Sequence, residues 1–286
     1  VGANLGDCTL WTAAVLSSPD GGHGVALEAE AFEPVWRIAD TMRSAFARLR
    51  EDLRAAASAA GGPAAAARLP RLRVRQLALG SSPGSQELSV PRQSAAETSA
   101  YEGTGPNYER ISVRTETVDG ILARGRRSAV RAGGARAPRP PVDLMKVHVQ
   151  GHELSVLRGA RRALGAGLLC VVLCHVYTMH MGQGGAEQVE WELRDLLRNY
   201  TTLLVEQGGN ASLLAPARSA PSRGRGTLAA CIEASRAQRH GDFLSMCKGL
   251  WLVAWREGAH CHRSVAVAAA KALWGEIAGR GAPKKK

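Results

Sequence analysis

Two periodicities take turns along this chain. Cys8–Leu16 is an apolar stretch that reads as a helix after a glycine-rich opening, and Val25–Phe32 reads as a short strand closed by Glu33-Pro34. A proline cannot extend a ladder and biases the residue before it towards extended or turn geometry. Val35–Ala59 has a helical pattern rich in Ala, Arg and Leu, stopped at Gly61-Gly62-Pro63. Leu72–Leu79 and Ile111–Thr117 alternate apolar and polar residues, as half-buried strands do, and Glu87–Val90 is a further strand candidate. Val142–Val149 predicts a buried strand, Glu153–Leu164 a helix with Leu154, Leu157 and Leu164 on one face, and Leu168–Val176 a nearly all-apolar strand. Such a strand suits a parallel sheet covered on both faces. Helix Gln188–Asn199, strand Thr202–Glu206, helix Thr227–Arg236, strand Gly249–Trp255 and helix Ser264–Ile277 complete the pattern. Strands alternating with helices predict βαβ units, an α/β protein with a parallel sheet.

The 286 residues suffice for one domain, 1–286. Two stretches break the pattern: 124–141, dominated by Arg, Gly, Ala and Pro, is expected to be a disordered basic insertion, and 208–226 a flexible loop. The net charge of +12 raises the question of nucleic acid. Much of it sits in that insertion and in the Lys284–Lys286 tail, with no interleaved aromatic residues to stack on bases, which argues against a nucleic-acid surface. No apolar run approaches the roughly 18 residues of a membrane span. The six cysteines form no CxxC pair; a disulfide framework is not expected, although a single bridge stays open. His260-Cys261-His262 reads as a surface cluster, since alternation in a strand would send its middle residue to the other face, and no metal site is assigned.

The chemistry begins at Val1–Asp7, a glycine turn that would let backbone approach a ligand closely ahead of a helix N-terminus. Glu33 ends the next strand, where a carboxylate can accept both hydroxyls of a nucleotide ribose; the competing reading is a solvated loop acid.

Five motifs in order resemble the FkbM methyltransferases: Val1-Gly2-Ala3-Asn4-Leu5-Gly6, Phe32-Glu33-Pro34, Ala78-Leu79-Gly80, Thr117-Val118-Asp119, and Val142–Glu153 running on through Val156-Leu157-Arg158-Gly159-Ala160. The resemblance implies a doubly wound, mostly parallel, Rossmann-like methyltransferase sheet whose first strand would precede Val1. It also implies an S-adenosylmethionine site, with Gly2, Asn4 and Gly6 around the methionine part, Glu33 on the ribose and Asp119 nearby. Asp119, Lys146 and Glu153 match family positions near the C-terminal edge of the sheet, where ligands bind in open α/β folds. Plainer roles compete: Lys146 could pair with Asp143 or Glu153, and Asp119 could cap the helix from Ile121 onward.

The chain also departs from the family. His148 stands where the family has an aspartate, Gln150 where it has a glutamate, and Cys174 where it has an acid, with His175 beside it in pattern. The expected activity is O-methylation of a small-molecule or sugar hydroxyl, with His148 as base. The alternative is a catalytically impaired relative that keeps the fold and cofactor binding. A nicotinamide-dependent oxidoreductase ranks below both, because the turn is G-x-x-x-G rather than G-x-G-x-x-G. The acceptor, the compartment and the oligomeric state are not legible.

Overall fold

The computed structural model describes residues 2, 28–59, 69–92, 105–131, 142–176, 185–205, 211–213, 228 and 250–256. Strand β1, Glu28–Phe32, leads into helix α1, Trp36–Ala59, whose first turn is tied down when the backbone N–H of Val35 donates to Glu33 Oε1 at 3.1 Å. Strand β2, Arg71–Arg75, pairs with β1 in parallel. The stretch expected as one strand, Leu72–Leu79, divides here: a turn closed by Leu77 N–H on Arg75 O separates β2 from β3, Ala78–Leu79, which joins another sheet.

That second sheet places β5, Tyr108–Glu116, between β3 and β4, Gly84–Pro91. Helix α2, Val118–Arg131, follows directly. Residues 124–131 of the expected disordered insertion are therefore helical, since Ala and Arg are strong helix formers and the amphipathic pattern continues into them. Residues 132–141 lie outside the described residues.

The largest sheet has the order β6-β7-β10-β8-β9, with β6 at Val142–Val147, β7 at Leu169–Val176, β8 at Thr201–Val205, β9 at Ala211–Leu213 and β10 at Leu250–Trp255. Only β6 and β7 pair in parallel; β10 runs antiparallel to both β7 and β8, and β9 antiparallel to β8. The described strands thus form mixed sheets, where a doubly wound, mostly parallel one was expected. Connection length accounts for one of these pairings: residues 206–210 between β8 and β9 are too few for a crossover helix, so β9 turns back on β8. The same pairing places a strand at 211–213, inside the stretch expected as a flexible loop.

Between β6 and β7 the single helix expected over Glu153–Leu164 is broken into α3, Glu153–Arg158, and α4, Arg161–Gly165. The break falls at Gly159, where a Cβ would overlap the carbonyl oxygen of Gly80. The chain must pass that close to β3, and only glycine permits it. Leu154, Val156 and Leu157 are buried from α3, Ala163 and Leu164 from α4, and Val189, Leu193 and Leu196 from helix α5, Ala186–Leu196. They share one core with Val172, Cys174, Leu252 and Ala254 of the sheet. Each large aliphatic side chain so buried contributes about 1.5–3 kcal/mol, so the α3–β7 contact carries much of the domain's cohesion.

Cys170 is disulfide-bonded, whereas Cys174 is a free, buried thiol. No helix among the described residues is long and apolar enough to cross a membrane.

Candidate functional site

Gly2 stands between the ends of β1 and β6. Its backbone N–H donates to Phe32 O at 3.1 Å, and a Cβ on it would overlap the carbonyl oxygen of His148. Its φ of 63° lies in the left-handed region that glycine enters without strain. The next residue after Phe32 is Glu33, 5 % exposed, whose backbone N–H bonds to Arg75 O. Gly2 of the predicted glycine turn therefore lies beside the strand end that carries Glu33. Asn4 and Gly6 lie outside the described residues.

Alternation along the strands divides the remaining candidates between two faces. Lys146 is in register with Leu173, and Val147 with Cys174; across the next pair His175 faces Trp251 and Cys174 faces Leu252. Lys146, His148, His175 and Trp251 thus share one face, and Cys174 the other. The ring centroids agree: His148 to His175 is 4.4 Å, His175 to Trp251 is 4.9 Å and His148 to Trp251 is 5.9 Å.

The electrostatics of this row are unfavourable to positive charge. Burial, then the neighbouring His175 and Lys146, push His148 down to about 2. Burial and Lys146 push His175 down to about 4. Both rings are neutral near pH 7. Gln150 Nε2 lies 3.3 Å from His148 Nε2, so with the amide donating, the imidazole keeps its proton on Nδ1. Trp251 was not singled out from sequence, because nothing in a lone apolar run reveals that β10 inserts beside β7.

Glu153 has a different task. It is fully buried, and its two carboxylate oxygens accept Val149 N–H at 3.1 Å and Gly151 N–H at 2.9 Å. The turn it holds contains Gln150 at φ 52° and Gly151 at φ 99°. A non-glycine residue in that region carries strain, and two charge-assisted hydrogen bonds to its flanking amides offset it. Burial raises the Glu153 carboxyl and the backbone hydrogen bonds pull it back, leaving it at about 7. Glu153 anchors the turn that carries His148 and Gln150, and both its oxygens face backbone amides. Burial and the Glu153 charge also drive the Cys174 thiol well above its ordinary range, so it is no thiolate.

Asp119 lies in the first turn of α2, yet its carboxylate is directed at α4: Oδ2 accepts Arg162 N–H at 2.9 Å and Oδ1 accepts Ala163 N–H at 2.8 Å. It does cap a helix, though one more than forty residues away rather than its own. Among the described residues no group of three or more His, Cys, Asp and Glu could hold a metal ion.

The arrangement defines an α/β protein with mixed sheets, in which Gly2 links the strand end that carries a buried carboxylate to the turn that carries one of a row of neutral ring nitrogens. The methyltransferase FkbM domain matches residues 1–203, and the chain belongs to that family. At the level of the family it is a methyltransferase. Neither the curated proteins nor the solved structures contain a match.

Proposed function

We propose that the chain is an S-adenosylmethionine-dependent O-methyltransferase acting on a hydroxyl of a small molecule or sugar. The observation that supports this is the Gly2 hydrogen bond to Phe32 O, which sets a glycine beside the strand end that carries the buried Glu33. The fit to the cofactor rests on two features. Gly2 carries no side chain where the chain passes against the His148 carbonyl, which brings the backbone before Phe32 close to the turn that carries His148 and Gln150. Glu33 presents a carboxylate where a ribose diol needs an acceptor. When bound, S-adenosylmethionine supplies an electrophilic methyl on a sulfonium.

The residues of the chain supply position and proton handling. The neutral His148 imidazole, its Nε2 taken by the Gln150 amide, donates its Nδ1–H to the oxygen of the acceptor hydroxyl, and Gln150 and the Glu153-anchored turn hold the ring in place. Lys146, on the same face, favours an oxygen that develops negative charge. A base whose conjugate acid sits at about 2 takes little of a proton at neutral pH, so His148 aligns the hydroxyl rather than deprotonating it. That same observation favours a second reading, a family member that binds the cofactor with impaired turnover.

Calorimetry with S-adenosylhomocysteine on the parent chain and on Glu33→Ala tests the assignment, with NAD titrated separately. Loss of a charge-assisted hydrogen bond should remove about 1–3 kcal/mol of binding. Equal affinity in both proteins, or tighter binding of NAD, would overturn it.

A further inference from the structure

We propose that the cleft between the β3–β4 turn and the start of α3 is a binding site for a small, neutral, hydroxyl-rich ligand of single-ring size. It encloses about 210 Å³, below the roughly 300–1,000 Å³ of sites for drug-sized ligands. Ser81, Ser85, Gln86, Thr115, His152 and Ser155 line it. Every side chain among them is neutral, and no Asp, Glu, Lys or Arg among the described residues lines the space. Burial, then the nearby Arg158 charge, lowers the His152 imidazole below its ordinary range, so it offers one donor and one acceptor. Arg158 is itself held in a bidentate pair by Glu192, with both bonds 2.6 Å, so it is not presented to an anion.

Two features make this a built site rather than a gap between loops. Ser155 Oγ accepts the Ser81 N–H at 3.0 Å, which clamps the turn to α3 and leaves the serine's own hydrogen to donate. Thr115 is 7 % exposed, and its buried Oγ1 has no hydrogen-bond partner. A buried hydroxyl in that state costs about 1–3 kcal/mol, which a ligand hydroxyl would relieve once the threonine changes its χ1 rotamer and turns Oγ1 towards the cleft. The contents of the cleft converge on Gly80: a Cβ there would lie 3.1 Å from Thr115 Cγ2, 3.4 Å from His152 Nε2 and 3.5 Å from Ser155 Oγ. Its missing side chain is what keeps the space open, and Gly159, packed on the Gly80 carbonyl, fixes its position. Hydroxyls, an amide and a neutral imidazole match the alternating donors and acceptors of a polyol. They provide no countercharge for a phosphate or a carboxylate.

The test is a nuclear magnetic resonance titration of the full chain without any methyl donor, so its outcome is independent of the methyl-transfer reading. The probes are methyl α-D-glucopyranoside, myo-inositol and glucose 6-phosphate. At least one neutral probe should give saturable shifts of the Gly80–Gln86 and His152 amides with a Kd of about 1 mM, and the phosphate should bind no tighter. Gly80→Ala, whose backbone angle suits alanine, and Ser155→Ala should each weaken binding by about tenfold, the equivalent of one hydrogen bond. Absence of saturable shifts with both neutral probes overturns the proposal. So does tighter binding of the phosphate, or undiminished affinity in a folded Gly80→Ala protein.

Discussion

Glu153→Gln is the sharpest probe of how the turn after β6 is held. In the folded chain burial has the upper hand over two backbone amides and moves this carboxyl from 4.5 to about 7. At roughly 1.4 kcal/mol per pH unit, that displacement amounts to about 3 kcal/mol. The folded state then binds a proton more tightly than the unfolded chain. The stability tied to Glu153 is complete below its ordinary value and declines as pH rises towards 7. His148 and His175 act in the opposite sense: with folded values of about 2 and about 4, the unfolded chain takes the proton first, and stability is lost as pH falls below about 6.5. The parent's own curve therefore mixes opposed slopes, and only a difference isolates Glu153. Glutamine can accept from one of Val149 N–H and Gly151 N–H but turns a donor towards the other, a penalty of about 1–3 kcal/mol that does not vary with pH. Urea unfolding of both proteins across pH should show the variant gaining on the parent by about 2.5 kcal/mol between about pH 5 and pH 8. A difference flat within about 1 kcal/mol would mean that Glu153 ionises as it does in water, and the account of its burial would be wrong.

Asp119→Ala removes the acceptor for the Arg162 and Ala163 amides, so urea unfolding should show a loss of about 1–2 kcal/mol, the usual worth of a helix cap. A loss of nucleotide affinity at unchanged stability would instead return Asp119 to the ligand. Because His148 stays neutral down to about 2, a methyl-transfer rate followed between about pH 5 and pH 8 should show no inflection that His148→Gln removes. An inflection near the ordinary histidine value that vanishes in the variant would show His148 to be a titrating base.

The sequence pattern located most strands and the early helix because each rests on a local period. Its errors have a common origin in contacts between distant residues. The break in Glu153–Leu164 requires knowing that Gly159 meets Gly80, and the split of Leu72–Leu79 that two halves of one apolar run enter different sheets. No local window contains either fact. The mixed pairing has the same character, since the position of β10 between β7 and β8 is decided by the whole sheet.

The candidate site was legible as residues but not as roles. Gly2 and Glu33 carry a signal in their own type and position, and the structure brings them to one edge. The three positions where the family carries acids looked equivalent in sequence, yet strand parity separates them. His148 and Gln150 lie together on the turn, while Cys174 is buried on the opposite face. An acid at Cys174 would sit near Glu153, whose charge already reaches that thiol. Two carboxylates in one buried place would raise each other further and loosen the turn that one of them holds. The cysteine therefore spares the Glu153 anchor a like charge, whereas the exchanges at His148 and Gln150 alter the face on which the methyl acceptor would lie. Of the three departures, that pair is the one placed on the face proposed for the methyl acceptor.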